Sequence, residues 1–159
     1  MDEFKIISGG QTGVDRAALD VAITRGIPHG GWCPKGRIAE DGRIEDYYKL
    51  VETESEGYIQ RTAMNVIDSD ATLIIYYEKL SGGTLLTREI AKKENKPYLT
   101  VELNKKTTQV KVDKALKWLC IQKPQILNIA GPRASSRPEF YSVAKMFIDR
   151  VIESYILNN

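Results

Sequence analysis

The stretch "FKIISGGQTGVDRAAL", residues 4–19, contains the pattern that decides the fold. The apolar run "FKIIS" at 4–8 predicts a buried strand, and apolar residues at helical spacing over 13–25 predict a helix. Between them, Gly9 and Gly10 allow a tight turn and a close approach to the backbone. A phosphate group fits such a turn well, since a helix start presents unpaired N–H groups and the positive end of the helix dipole.

The rest of the chain continues this alternation. Apolar patterns predict a helix at 57–67, a strand at 71–77, a helix at 85–94, a strand at 97–103, a helix at 109–121, a strand at 125–130 and a helix at 137–156. The glycine- and proline-containing segment 27–43 has no period and is predicted to be a long functional loop or a short hairpin. This order predicts an α/β fold, a Rossmann-like three-layer sandwich with a mostly parallel sheet flanked by helices. We expect one ligand-binding domain over 1–159.

The helical periods predict which faces point to the core. In the first helix the inward residues are Val14, Ala17, Ala18, Val21 and Ala22. In the last helix they are Phe140, Ala144, Phe147, Ile148, Val151, Ile152 and Tyr155. In helix 57–67 they are Ile59, Ala63, Val66 and Ile67, and the other face carries Tyr58, Arg61, Thr62 and Asn65. The variety of hydrogen-bonding groups on that other face predicts a site wall or a subunit contact.

Composition argues against several classes of function. The 159 residues carry a formal net charge of +2, which is too small to predict nucleic-acid binding. No apolar run reaches the roughly 18 residues of a membrane helix, and the N-terminus does not resemble a signal peptide, so we expect a cytoplasmic protein with no membrane contact. Cys33 and Cys120 match no zinc spacing and His29 is the one histidine, so no metal site is expected.

Three glycine turns connect a predicted strand to a predicted helix. In the first, Thr12 is the expected helix cap, with Asp15 three residues later. In the second, "SGGT", the expected cap is Thr84, and in the third Ser136 and Glu139 form a capping box. Because the carboxyl ends of parallel strands meet at one edge of a sheet, the three turns together predict a site for an anionic ligand. The alternative is that they serve only tight strand-to-helix geometry.

The predicted ligand contacts follow from this convergence. Backbone amides of the first two turns would bind a phosphate or an oxo-anion, and Lys35, Arg37 and Arg133 would neutralise its charge. Arg133 is the principal candidate, because it follows a rigid Gly-Pro turn at the end of a strand. The predicted set comprises Gly9, Gly10, Gln11, Thr12, Gly13, Lys35, Arg37, Ser81, Gly82, Gly83, Thr84, Gly131, Pro132, Arg133 and Ser135.

The motifs "SGGQTGVDRAALD", "GGWCPKGR", "YxxRTxxNVxDSDATLII", "SGGT" and "LNIAGPR" together resemble the molybdenum cofactor carrier proteins. That family is similar to a wider Rossmann-like superfamily, which includes the lysine decarboxylase-like phosphoribohydrolases. The resemblance implies a homo-oligomer, a dimer or a tetramer, that holds molybdenum cofactor, a pyranopterin with one phosphate and a dithiolene-bound oxo-molybdenum. Such a carrier would store, protect or deliver the cofactor, with molybdoenzymes or cofactor-synthesis proteins as partners.

Two alternatives remain open at this stage. The related hydrolases carry P-G-G-x-G-T-x-x-E where this chain has "SGGTLLTRE", so Glu89 matches their glutamate while Ser81 and Leu85-Leu86 depart from the pattern. An enzyme of this kind would be a nucleotide N-glycosidase with Glu89 as general base. The other alternative is a nucleotide-sensing module. The half-erased motif favours the carrier, with a nucleotide as the alternative ligand.

Overall fold

The computed structural model describes residues 3–105 and 108–159, and within these ranges nine strands and five helices occur. The strands are β1 (Lys5–Ile7), β2 (His29–Gly30), β3 (Trp32–Cys33), β4 (Ile38–Ala39), β5 (Gly42–Arg43), β6 (Val51–Glu52), β7 (Ala71–Tyr76), β8 (Tyr98–Glu102) and β9 (Ile126–Ala130). The helices are α1 (Val14–Thr24), α2 (Tyr58–Ile67), α3 (Gly82–Lys93), α4 (Gln109–Gln122) and α5 (Phe140–Leu157). None of these helices is both long and apolar enough to cross a membrane.

Five parallel strands form the central sheet in the order β2-β1-β9-β7-β8. The late strand β9 inserts between β1 and β7, with Leu127 opposite Ile6 on one side and Ala71 on the other. The chain therefore leaves the centre in one direction after β1 and in the other after β7. This reversal places the turns after β1, β7 and β9 together, the position where open α/β sheets bind ligands.

Helices cover both faces of the sheet, which confirms the predicted Rossmann-like architecture. On one face α1 and α4 pack against α5, and their buried residues share one core with Leu73, Ile75, Leu127 and Ile129. The inward residues predicted for α1 and α5 are all in this core. Helices α2 and α3 pack against each other outside it. The periodic apolar residues thus predicted the main core correctly, because apolar residues at helical spacing lie on the buried face of a helix.

The prediction for the inward face of helix α2 was only partly right. Val66 is fully buried as predicted, but Ile59 is 62% exposed and Ile67 is 44% exposed, whereas Arg61 and Asn65 are buried. Burial of the two polar side chains is possible because each has backbone partners. Arg61 donates to the Gly9 carbonyl, and Asn65 exchanges hydrogen bonds with the backbone of Trp32.

Three predicted helix caps are not formed. Helix α1 begins after Gly13, and the hydroxyl of Thr12 is bonded elsewhere. Helix α3 begins at Gly82, three residues before the predicted start, so Thr84 lies inside its first turn and Ser81 takes the cap position. Helix α5 begins at Phe140 without a side-chain cap, so Ser136 and Glu139 form no capping box. At α1 a tertiary contact replaces the cap, since the N–H of Val14 donates to the Pro132 carbonyl, whereas at α5 the N–H of Phe140 donates locally to the Arg137 carbonyl.

The segment from 27 to 53 folds into short strands, and it includes the predicted hairpin. Strands β4 and β5 pair antiparallel, and β3 pairs parallel with β6. Beneath them lies a second, smaller core of Leu19, Cys33, Ala39, Ile44, Tyr48 and Leu50. The burial of Cys33 in this core raises the pKa of its thiol. This small subassembly packs beside the turn after β1.

Candidate functional site

A cavity of about 370 Å³ opens at the carboxyl edge of β7 and β9. Its walls come from the turn after β1, one face of α2, the connection from β7 into α3, and the loop from β9 to α5. Four basic side chains line it, namely Arg61, Lys79, Arg133 and Arg137, together with the acids Asp15 and Glu78. The excess of positive charge in a concave site favours an anionic ligand.

One face of α2 forms a wall of this cavity. Tyr58, Arg61, Thr62 and Asn65 all line it. Arg61 is only 7% exposed, and its Nη1 donates a 2.8 Å hydrogen bond to the carbonyl of Gly9. The face that the sequence indicated as a site wall or a subunit contact therefore lies against the cavity, and Arg61 ties it to the turn after β1.

The turn after β1 differs from the open amide cradle that the sequence led us to expect. The N–H of Gly10 donates to the Ser8 hydroxyl over 3.4 Å, and that of Gln11 donates to the Asp15 carboxylate over 3.2 Å. The N–H of Thr12 donates to the side-chain oxygen of Gln11 over 3.0 Å. These three amides therefore have acceptors within the chain, and only Gly9 and Gln11 of the predicted residues 9–13 line the cavity.

The same turn is closed on its outer side by the loop after β9 and by the β4–β5 hairpin. The N–H of Val14 donates to the Pro132 carbonyl over 3.2 Å, so Gly13 packs directly against that loop. The Glu40 carboxylate accepts hydrogen bonds from the Thr12 hydroxyl and from the N–H of Ser135. Although partial burial raises it, these hydrogen bonds leave the pKa of Glu40 below its usual value. Thr12 and Ser135 thus bind Glu40 and do not line the cavity.

The start of α3 provides the backbone donors that the first turn does not. Ser81, Gly82, Gly83 and Thr84 line the cavity. The N–H groups of residues 82–84 precede the first intrahelical bond, and no acceptor for them occurs within residues 3–105 and 108–159. The left-handed φ of +52° at Gly82 is a conformation that glycine adopts without strain. These amides are available to an anion in the cavity.

The loop after β9 brings two arginines to the same cavity. Gly131, Pro132 and Arg133 line the cavity, and Arg133 is exposed with no ion pair to any described carboxylate. Arg137, which the sequence did not single out, lies 3.5 Å from the ring centroid of Tyr77 and forms an ion pair with Glu78. The stacked pair makes a flat polar surface at the cavity wall.

Two basic residues and one acid of the predicted site lie away from the cavity. Lys35 is exposed on the turn between β3 and β4. Arg37 is buried and donates to carbonyl oxygens of the segment 44–50, so it stabilises the fold of that segment. Glu89 is exposed on α3 and pairs with Arg88 and Lys92. The candidate general base is therefore outside the cavity wall.

Asp15 is the acid at the cavity that the sequence led us to interpret as a helix cap. Its side chain lines the cavity, although the residue is only 7% exposed. Burial raises the pKa of this carboxyl to about 6, against the opposing effects of Arg61, the Gln11 N–H, Arg16 and Arg133. A strongly shifted group in a cleft is typical of functional sites.

Sequence reasoning also missed the residues at the carboxyl end of β7. Tyr76, the last residue of the strand, and Tyr77, Glu78 and Lys79, which follow it, line the cavity before α3 begins. Their position at the end of a buried strand was a usable signal, since the carboxyl end of a parallel strand is where ligands bind. Within the described ranges, no cluster of three or more histidine, cysteine or acidic side chains could hold a metal ion.

Comparison with known proteins gives two close similarities. Residues 6–152 match the circularly permutated YpsA SLOG family. The crystal structure named "Putative molybdenum carrier protein", from Syntrophus aciditrophicus SB, is 48% identical over 94% of each chain, with a TM-score of 0.85. The diphosphate reductase that acts on (E)-4-hydroxy-3-methyl-but-2-enyl diphosphate aligns over 95% of this chain and 59% of that chain. With 12% identity and a TM-score of 0.40, this similarity is too low to support an inference about fold or function. None of the curated proteins compared with the chain is significantly similar to it.

Proposed function

The chain belongs to the circularly permutated YpsA SLOG family, and on that premise we propose that it is a carrier of molybdenum cofactor. The cavity after β7 and β9 would hold the cofactor for storage, protection or delivery. The cofactor is cargo here, and no bond of it is made or broken by the protein. A 48% identical protein whose name includes "molybdenum carrier" supports this choice of ligand.

One observation carries the proposal: donors without a partner in the described residues, from two separate segments, line the same cavity. These are the N–H groups of residues 82–84 at the start of α3 and the guanidinium of Arg133 after β9. A phosphate or an oxo-anion in the cavity would accept hydrogen bonds from both segments. The dipole of α3 adds a favourable field for the same negative charge.

The size and the walls of the cavity also suit a phosphorylated heterocycle. A volume of about 370 Å³ lies within the usual range for small-molecule sites. Tyr58 and Tyr76 also line it and provide aromatic surface beside the charged groups, while Tyr77 is already stacked by Arg137. A planar pterin can stack on such rings while its phosphate reaches the basic end.

The position of Glu89 supports a carrier over a hydrolase. A general base must reach the water or the proton that it moves. Glu89 is exposed, pairs with Arg88 at 3.0 Å, and does not line the cavity. The hydrolase hypothesis drawn from the half-erased motif therefore lacks its catalytic group at the site.

The test is to purify the protein from cells that synthesise molybdenum cofactor and to measure its molybdenum and its oxidised-pterin fluorescence. We expect both at close to one equivalent per chain. Arg133→Ala is expected to lower both, whereas Lys35→Ala, an equal loss of charge outside the cavity, leaves them unchanged. Absence of both signals, together with no binding of the isolated cofactor in vitro, would refute the proposal. Release of base from a nucleoside monophosphate would favour the hydrolase.

A further inference from the structure

Asp15 is an acidic residue at the wall of a cavity that we propose binds an anion. An ionised carboxylate repels a phosphate, yet this one lies at the wall of the cavity and is 7% exposed. Burying a carboxylate costs free energy unless hydrogen bonds or charges compensate. The Gln11 N–H and the charges of Arg61, Arg16 and Arg133 compensate only part of this cost, which leaves room for a further donor from a ligand.

The contacts of Asp15 leave one oxygen without a partner. The Oδ2 atom accepts a hydrogen bond from the N–H of Gln11 over 3.2 Å. No donor to Oδ1 occurs among the hydrogen bonds of the described residues, and because no fully buried side-chain oxygen there lacks a partner, Oδ1 is an accessible atom at the cavity. The neighbouring guanidinium of Arg61 donates instead to the Gly9 carbonyl and forms no salt bridge with Asp15. A buried carboxylate with unused acceptor capacity thus faces the cavity.

We propose that Asp15 binds the N–H edge of a heterocycle that carries an amino group next to a ring N–H, as pterin and guanine do. The two parallel N–H groups of such an edge match the two oxygens of a carboxylate, as the fork of arginine does. Each carboxylate oxygen accepts more than one hydrogen bond, so the Gln11 contact is retained. A ring with a carbonyl in place of the amino group would turn an oxygen towards the carboxylate and be rejected.

With this contact, the cavity has one end that accepts hydrogen bonds from the ligand and one end that binds its negative charge. Asp15 takes the donor edge of the ring, and the start of α3 with Arg133 takes the anion. This part rests on the proposed function for its anionic end, but the selectivity at Asp15 does not depend on molybdenum.

The experiment compares ligands that differ only at the amino position. Titrations followed by intrinsic fluorescence would use 6-hydroxymethylpterin phosphate against the corresponding lumazine phosphate, and GMP against IMP. We expect the wild-type protein to prefer the amino-bearing member of at least one pair by tenfold or more. Asp15→Asn is expected to reduce this preference to less than threefold, while Arg133→Ala weakens both members of a pair to the same extent and keeps the preference.

The outcomes separate this inference from the proposed function. Equal affinity for both members of each pair in the wild type, a preference that survives Asp15→Asn, or no binding of any of the four ligands would each overturn the role of Asp15. If the purified protein nevertheless carries molybdenum cofactor, the carrier function stands without it. Conversely, discrimination within a pair by a protein that never binds the cofactor would support Asp15 and refute the carrier. The wild-type comparison needs no variant, so it remains decisive if Asp15→Asn is poorly folded.

Discussion

Replacement of Arg37 by lysine tests whether this arginine stabilises the fold or binds the ligand. Its guanidinium is buried and makes four hydrogen bonds to backbone carbonyls. Nε donates to Ile44 over 3.0 Å, Nη1 donates to Leu50 over 3.2 Å, and Nη2 donates to Glu45 and Tyr48 over 2.7 and 2.9 Å. The segment 44–50 has no regular strand or helix, so Arg37 takes the place of a ladder of backbone bonds.

The expected magnitude follows from the number of bonds that lysine cannot make. A lysine ammonium has three donors at one point and cannot reach four carbonyls spread around a planar fork. Losing one or two hydrogen bonds to a charged donor costs roughly 1.5–3 kcal/mol each. We therefore expect Arg37→Lys to lower the free energy of unfolding by about 3 kcal/mol. For a chain of this size, that corresponds to a fall in melting temperature of about 6–12 °C.

Urea denaturation followed by circular dichroism measures this loss through the midpoint and the slope. The matched control is Arg43→Lys, because the Arg43 side chain is 58% exposed and pairs with Asp46 at the surface. We expect the control to leave the midpoint unchanged. An unchanged midpoint for Arg37→Lys would refute the structural role. Normal stability combined with lost ligand binding would restore the original expectation that Arg37 contacts the ligand.

Four further predictions follow from the described contacts. Arg133→Ala is expected to weaken binding of a phosphorylated ligand roughly 10–150-fold, the cost of one charge-assisted hydrogen bond, and an unchanged dissociation constant would place Arg133 outside the site. Burial raises the pKa of Asp15 to about 6 from 3.8, so the folded state holds this proton more tightly than the unfolded state. The stability of the wild type relative to Asp15→Asn should then fall as pH rises from 4 to 7, by about 2 kcal/mol, and pH-independent differences in urea midpoints would contradict this. A methyl group on Gly131 would lie 2.6 Å from the Ile75 carbonyl, so Gly131→Ala should cost about 2–3 kcal/mol in thermal unfolding, against about 1 kcal/mol or less for Gly57→Ala, where the nearest atom would be Ser55 Oγ at 3.4 Å and the residue caps α2. Glu40→Ala should speed amide hydrogen exchange in 131–136, while Glu45→Ala leaves it unchanged, and equal rates in both variants would show that Glu40 does not hold this loop.

The resemblance seen in the motifs is supported at the level of family. The family match over residues 6–152 and the 48% identical relative both agree with it. The residues that carry the motifs nevertheless divide into two groups. Gly82, Gly83 and Arg133 line the cavity, whereas Thr12 and Arg37 bind other parts of the chain. A shared motif thus marks residues needed for the architecture of the site as well as residues at the site itself.

Much of the fold could be predicted because the information is local. The alternating apolar runs indicate strands and helices, and the inward faces of α1 and α5 follow from a period of 3.6 residues. The same reasoning held only in part on α2, where Val66 is buried as predicted but Ile59 is exposed and Arg61 is buried. Periodicity identifies two faces of a helix, but it does not distinguish solvent from the wall of a polar cavity.

The sequence by itself determined the α/β alternation, the main core and the edge of the sheet at which the glycine turns gather. Only the tertiary structure decided which donors at that edge remain available. The N–H of Ala134 donates to the Thr12 hydroxyl across 122 positions of the chain. The same hydroxyl donates to the Glu40 carboxylate of the β4–β5 hairpin. Such partners are brought together by strand order, with β9 inserted beside β1, and no local pattern encodes that order. A backbone N–H binds a ligand only where folding has not already given it an acceptor.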